Sequence, residues 1–169
     1  MQPMPPRSPV RTQHAEADLR EVLHGSIEAL KGRLRDRGVS LSLRVPGEPI
    51  VVSVDRPGIE RLVAEIADLA CRTLDRGGTL KVLARTDAGK AVVNFMDIEG
   101  EAMGAPEESC GLARLFGGAS ASRAADAGSR IARCERIVDG HDGRLYAAPS
   151  PLGGLGLTLR LPLRSGCTA

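Results

Sequence analysis

Aromatic side chains are nearly absent from this sequence. Of its 169 residues only 2% are aromatic and none is tryptophan, so the core must be built from Leu, Val, Ile and Ala. Proteins that bind nucleic acids by stacking bases need aromatic platforms, which this composition does not supply. The formal net charge of +2 at pH 7 is close to neutral. It therefore gives no electrostatic reason to propose a nucleic-acid-binding or membrane-binding protein.

Long apolar runs are missing as well. No stretch approaches the roughly 18 consecutive apolar residues that a membrane-spanning helix needs. The N-terminal residues MQPMPPRSPVRTQ contain no apolar segment of the secretory type. We therefore expect no membrane association and a cytoplasmic protein.

Cysteine is sparse and unpaired in sequence. Cys71, Cys110, Cys134 and Cys167 are far apart and form no CxxC motif. This spacing differs from that of metal sites, so we expect reduced structural thiols and no bound metal.

The hydrophobic pattern predicts four helices. Apolar residues at spacings of three and four indicate a helix from Asp18 that ends at Gly38, and another from Pro57 to near Gly77. A short helix is predicted around 107–116, and a longer one over about 128–139. Alternation of apolar and polar residues predicts a strand over 39–45, and further short strands are predicted over 50–54, 79–85, 90–97, 144–148 and 155–163.

The order of these elements predicts the fold class. Strands that follow one another directly form hairpins, so the sheet should be mixed and mainly antiparallel. Three helices would then cover one face of it in a two-layer α/β sandwich. Residues 1–16 read as a flexible N-terminal tail, 17–164 as the domain and 165–169 as a C-terminal tail.

Five segments, in a fixed order, carry a family resemblance. They are ERLVAEIADLACRTLDRGGTLKV (60–82), VVNFMDIEGEAMGAPEE (92–108), LARLFGG (112–118), DAGSRIARCERIVDGHDGRL (126–145) and GGLGLTLRLPL (153–163). In order they resemble the N-box, the D-x-G-x-G segment, the F-box, the G-x-G-L-G-L helix with its I-V-x-x-H-G-G turn, and the final strand of the GHKL family. This family is the ATP-binding domain shared by sensor histidine kinases, DNA gyrase and related ATPases. The resemblance spans about residues 17–164 and implies a Bergerat-type fold.

The N-box of this chain has lost a metal ligand. In the family, two polar residues four apart on one helix face the nucleotide. Glu65 stands at the first position, where some ATPases use Glu as the base for water, and Leu69 stands where an Asn helps to ligate Mg²⁺. Mg²⁺ requires oxygen ligands, and Leu offers none. Glu65 is therefore a weak candidate for a catalytic base, and the alternative is an exposed helix carboxylate.

The D-x-G-x-G segment keeps only its first residue. Asp97 corresponds to the Asp that accepts a hydrogen bond from the adenine amino group, although a plain strand-end carboxylate is an equal alternative. The two glycines, which permit close backbone approach to the ligand, are replaced by Glu99 and Glu101. Gly100 lies one residue out of register and could still supply a turn.

The segment that cradles phosphate in the family is the most altered. Backbone N–H groups at a helix N-terminus normally bind phosphate there. The matching residues 126–131 read DAGSRI, so Gly128 alone survives. Arg130 could contact a phosphate, whereas Asp126 would oppose it. The resemblance thus implies a vestigial ATP site that consists of Asp97, Gly100, Gly128 and Arg130.

No histidine is placed as a phosphoacceptor. Histidine kinases carry that residue on a separate helical hairpin. His14 lies in the predicted tail, His24 on the surface of the first helix and His141 in the turn that also holds a His in the family. Any acceptor should therefore belong to a partner protein.

Three functions are compatible with this pattern. The first is a degenerate histidine-kinase-like domain without cofactor, acting as a regulator, scaffold or phosphotransfer partner in two-component signalling. Its partner would be a response regulator or a His-bearing kinase or phosphotransferase, with a homodimer left open. The second is an active domain that uses ATP and Mg²⁺ to phosphorylate a His-bearing partner in trans. The third, ranked last, is an anti-sigma-type serine kinase or binder.

Overall fold

The structure is a computed structural model that describes residues 14–74, 77–98, 111–116, 125–149 and 155–164. Four helices are present in these ranges: α1 (Leu19–Asp36), α2 (Arg56–Thr73), α3 (Gly111–Phe116) and α4 (Ala125–Asp139). The strands are β1 (Ala15–Asp18), β2 (Val39–Arg44), β3 (Val51–Val54), β4 (Gly78–Asp87), β5 (Lys90–Ile98), β6 (Arg144–Pro149) and β7 (Leu155–Pro162).

Helix α1 is held at both ends by its own sequence. The Asp18 carboxylate accepts a hydrogen bond from the backbone N–H of Arg20, which caps an otherwise unsatisfied donor. The same carboxylate pairs with the Arg20 guanidinium at 2.8 Å and accepts from the N–H of Ile50 at 3.2 Å, tying the helix start to the chain before β3. After the helix, Gly38 adopts φ of +76°, a conformation that glycine takes without strain.

The main sheet has five strands in the order β2-β4-β5-β7-β6. β2 runs parallel to β4, and the remaining neighbours are antiparallel. The predicted mixed, mainly antiparallel sheet is thus confirmed. A separate two-stranded sheet joins β1 and β3 in antiparallel register, with Ala15 opposite Val54.

Strand β1 was not predicted from the sequence. Its first residues, Ala15 and Glu16, fall in the predicted tail. The segment AEAD has no β-branched residue to favour a strand, and its pairing with the apolar strand β3 supplies the stabilisation instead.

The core lies between the helices and one face of the main sheet. Residues such as Leu80, Val93 and Leu159 point from the strands into the same apolar cluster as Leu23 and Ile66 from the helices. This two-layer arrangement confirms the predicted α/β sandwich. Among the helices of the described residues, none has the length and apolar character that crossing a membrane requires.

Candidate functional site

Helix α2 carries the side chains around which the site is built. Glu65, Leu69 and Thr73 are spaced by four residues, and Asp68 lies three residues after Glu65, so all four lie along one side of the helix. We call this group the α2 site. Helices α3 and α4 both pack against α2, and they bring Leu112 and Arg130 to the two ends of the α2 site.

Leu69 belongs to the hydrophobic core. Its side chain is 0% exposed and lies within the main apolar cluster. The residue in the family's magnesium position therefore offers no oxygen. The apolar side chain also offers no polar partner to a water molecule in place of the missing ligand.

Glu65 is buried and paired with two arginines from α4. Its two carboxylate oxygens accept hydrogen bonds from Nη1 of Arg130 at 2.9 Å and from Nη1 of Arg133 at 3.0 Å. Glu65 is 8% exposed, so the interpretation of this residue as an exposed helix carboxylate was wrong. Arg130 and Arg133 compensate the cost of burying the negative charge of Glu65.

Asp68 extends the same ion-pair network. Its Oδ2 atom lies 3.1 Å from Nη1 of Arg130, and its Oδ1 atom lies 3.0 Å from Nη2 of Arg33 on α1. Arg130 therefore bridges two carboxylates of α2. A phosphate bound by Arg130, as predicted, would have to compete with Glu65 and Asp68 for the same guanidinium.

Asp97, at the end of β5, is enclosed by neighbouring groups. Its Oδ1 atom accepts a hydrogen bond from the backbone N–H of Leu112 at 3.2 Å, and its Oδ2 atom accepts one from the hydroxyl of Thr73. The start of α3 lies directly against this carboxylate. A methyl group added to Gly111 would come within 2.7 Å of Asp97 Oδ2 and 2.5 Å of Thr73 Cβ. No space for a purine ring remains between Gly111 and Asp97 in this arrangement.

The remaining predicted site residues do not join the α2 site as ligand-binding groups. Gly128 lies inside α4, which begins at Ala125 rather than at the predicted Gly128. Nothing lies within 4 Å of a Cβ added to Gly128, so no close backbone approach there requires glycine. Gly100 lies outside the described residues.

Comparison with known proteins agrees with the fold and with the predicted family. No protein-family model matches the chain. The signal transduction histidine-protein kinase BaeS of Escherichia coli (strain K12) is 31% identical over 157 residues, which cover 89% of this chain and 32% of that protein. The chain is a homologue of the histidine kinase catalytic domain. It spans about a third of the length of this relative.

Solved histidine kinase structures share the fold at lower sequence identity. The nucleotide-free catalytic domain of histidine kinase ThkA superposes with a TM-score of 0.66 at 16% identity, over 89% of this chain and 97% of that one. Full-length ShkA in complex with AMPPNP gives a TM-score of 0.68 at 17% identity, over 92% of this chain and 32% of ShkA. These likenesses confirm the predicted α/β fold.

His141 has a structural position in this histidine-kinase-like domain. Its Nδ1 atom lies 2.6 Å from the carbonyl oxygen of Ile137, and its Nε2 atom accepts a hydrogen bond from the N–H of Asp55 at 3.0 Å. The buried imidazole thereby joins the end of α4 to the start of α2, and its ring stacks on His14 at 4.6 Å. His24 is exposed on α1, as predicted.

Two of the four cysteines lie in the described residues. Cys71 and Cys134 are both buried free thiols, in agreement with the predicted structural role. Burial raises the pKa of Cys134 to about 12 and also raises the pKa of Cys71, so both remain protonated at neutral pH. Cys110 and Cys167 lie outside the described residues.

The residues of the α2 site do not fit a histidine-kinase-type magnesium nucleotide. Among the described residues, no group of three or more His, Cys, Asp or Glu side chains could hold a metal ion. Leu69 fills the place of the metal ligand, α3 closes on Asp97, and Arg130 is engaged by carboxylates.

Sequence reasoning missed Asp68, Thr73 and Arg133. A signal for them was present, because Asp68 lies three residues after Glu65 and Thr73 lies four residues after Leu69. Arg130 and Arg133 are likewise three apart on α4, so that both can reach one carboxylate.

Proposed function

We propose that this chain is a degenerate histidine-kinase-like ATPase domain that acts as a regulator, scaffold or phosphotransfer partner in two-component signalling, with weak or no binding of Mg·ATP. The observation that carries the proposal is the Arg130 bridge between Glu65 and Asp68. Arg130 is the only basic residue in the segment DAGSRI (126–131), which resembles the phosphate-binding segment of the family. Its guanidinium already pairs with Glu65 and Asp68.

Electrostatics supports this proposal. A triphosphate that recruited Arg130 would leave Glu65 with Arg133 alone and Asp68 with Arg33 alone. Removing one partner from a largely buried ion pair is costly, since the remaining charge stays desolvated. No Mg²⁺ bound through position 69 could offset the phosphate charge, because the Leu69 side chain has no ligand atom.

An active domain that phosphorylates a partner in trans is the competing function. It is favoured by the retention of Asp97 at the adenine position and by the homology to BaeS. This function would require two movements. Helix α3 would have to move away from Asp97, and Arg130 would have to separate from Glu65 and Asp68. Both changes cost hydrogen bonds that the closed arrangement already makes.

A phosphotransfer assay tests the proposal. The chain is incubated with Mg²⁺, γ-labelled ATP and the His-bearing helical hairpin of BaeS, with the BaeS catalytic domain as the positive control. We expect no label on the hairpin above that of the hairpin alone. Labelling at a rate near that of the control would establish the competing function.

A further inference from the structure

One face of the main sheet is not covered by the helices of the described residues. The strand register defines it, because directly opposed residues point to the same side. One row across the sheet contains Arg44, Leu83, Asn94, Thr158 and Tyr146, and the next contains Arg85, Val92, Arg160 and Arg144. Lys81 and Met96 lie in a third row, and Asp87 and Lys90 in a fourth. We call this surface, defined by these four rows, the open face.

Basic side chains dominate the open face. They are Arg44, Lys81, Arg85, Lys90, Arg144 and Arg160. Among the described strand residues, Asp87 is the one acidic side chain on this side of the sheet. The whole chain carries a formal net charge of only +2, so the remainder of the molecule is net acidic. The positive charge is therefore concentrated on one side of the sheet.

Arg85 and Arg160, at the centre of the open face, do not use all of their hydrogen-bond donors. Arg160 contacts Asp87 at 2.6 Å and Arg85 contacts the same carboxylate at 3.8 Å, so one acid serves both. Among the described residues, Nε of Arg85 and Nε of Arg160 are buried atoms without a hydrogen-bond partner. The two side chains are still 39% and 32% exposed, so a partner carboxylate could pair with their guanidinium groups.

Polar and apolar groups alternate beneath these cations. The Asn94 amide donates to the Thr158 hydroxyl at 2.9 Å, while its Oδ1 atom is buried and has no partner among the described residues. If the amide of Asn94 were rotated by 180°, its oxygen would face the Thr158 hydroxyl and its nitrogen would be the atom without a partner. Leu83 and Tyr146 flank this pair in the same row, and Tyr146 is 36% exposed. Tyr and Arg are enriched at protein–protein contacts, where they provide much of the affinity.

We propose that the open face is a docking surface for an acidic surface of another protein. Carboxylates of the partner would pair with the basic side chains of the open face, and its apolar groups would contact Leu83 and Tyr146. A nucleic acid fits less well, because Tyr146 is the one aromatic side chain on this face and cannot stack successive bases. A membrane fits less well, because Val92 and Met96 are buried below the level of the cations and cannot insert.

Docking to the open face does not depend on the state of the nucleotide site. The open face lies on the side of the sheet opposite the α2 site, so a partner could dock whether or not ATP binds. Failure of docking would leave the ATP measurements unaffected, and the reverse also holds.

Fluorescence anisotropy with a named probe tests the proposal. The probe is a fluorescein-labelled peptide in which glutamate alternates with leucine, and its counterpart carries lysine in place of glutamate. We expect the full chain to bind the glutamate peptide, to bind it more weakly as salt is added, and not to bind the lysine peptide. Phosphatidylserine vesicles and duplex DNA serve as competitors, and displacement of the peptide from the open face by either at lower concentration would overturn the assignment to a protein partner.

Charge-matched variants locate the binding surface. Arg44→Glu combined with Lys81→Glu reverses two exposed charges on the open face, and we expect the dissociation constant to rise at least about tenfold. Arg35→Glu combined with Arg61→Glu reverses two exposed charges on helices, and it should change the constant less than about twofold. Circular dichroism confirms that both variants are folded. Equal weakening by the two variants, or absence of peptide binding to the unaltered chain, would contradict the proposal.

Discussion

Nη1 of Arg130 lies 2.9 Å from Glu65 Oε2 and 3.1 Å from Asp68 Oδ2, so one guanidinium of α4 joins two carboxylates of α2. Both carboxylates also have a second basic partner, Arg133 for Glu65 and Arg33 for Asp68. The helices that enclose the nucleotide in the histidine kinase family are thus linked here by the protein's own charges. This network accounts for the burial of Glu65 without a ligand.

Removing the bridge should destabilise the fold. Arg130→Met deletes the guanidinium but keeps an apolar stem, and it leaves the largely buried Glu65 with one basic partner. We expect the free energy of unfolding to fall by about 1–2 kcal/mol, discounted from the cost of a fully buried pair because the arginine is partly exposed. Urea denaturation measures the change. Arg136→Met, an exposed control on the same helix, should cost less than about 0.5 kcal/mol, and an equal effect of the two substitutions would argue against the bridge.

Restoring the family's residue at position 69 should not restore metal binding. Leu69→Asn places an amide in an apolar cluster, and we expect a loss of about 3 kcal/mol from the missing apolar contacts and the unsatisfied polar group. Leu69→Met keeps the volume and should cost less than about 1.5 kcal/mol. Thermal unfolding with and without Mg·ATP measures both effects. A stable Leu69→Asn variant whose melting temperature rises with Mg·ATP would show that a single residue had disabled the site.

Asp97 should act on α3 rather than on a ligand. Asp97→Ala removes the acceptor for the Leu112 N–H and the Thr73 hydroxyl, so the start of α3 should open more often. We expect hydrogen exchange in residues 111–116 to accelerate at least about tenfold, equivalent to roughly 1.4 kcal/mol of lost local stability. Asp36→Ala, at the exposed end of α1, is the control. Unchanged exchange in α3 would mean that this carboxylate does not hold the helix.

The cap of α1 should make stability depend on pH. The side-chain hydrogen bond from Arg20 lowers the pKa of Asp18 below the ordinary value of an aspartate, with backbone hydrogen bonds adding to the shift and burial opposing it. Because the folded-state pKa is depressed, the stabilisation is present above about pH 4 and is lost as the pH falls through the folded value. Urea midpoints from about pH 6 to about pH 2 should therefore converge for the unaltered chain and Asp18→Asn. A constant difference over the whole range would contradict this role of the charge.

The sequence was sufficient to predict most of the fold. The three-and-four spacing in α1 and α2 and the residue patterns of β4 and β5 are local signals, which do not depend on contacts between distant parts of the chain. Strand β1 lacked such a signal, because AEAD is stabilised by pairing with a distant strand. The start of α4 was placed three residues late, because Gly128 was interpreted as a boundary although it lies inside the helix.

The site was predictable only in part. Comparison of the sequence with the family motifs was enough to indicate an altered nucleotide site, because of Leu69 and the replaced glycines. The burial of Glu65 could not be anticipated, since it depends on arginines from α4 that are 65 and 68 residues further along the chain. The contact between α3 and Asp97 likewise depends on packing of helices that are distant in sequence. The vestigial character of the site remains our proposal.

Isothermal titration of the purified chain with ATP, with and without Mg²⁺, tests the central claim most directly. Full-length ShkA, whose complex with AMPPNP is known, is a suitable positive control. We predict no Mg²⁺-dependent binding tighter than about millimolar, which corresponds to about 4 kcal/mol. Mg²⁺-dependent binding of ATP at micromolar concentration would contradict the account.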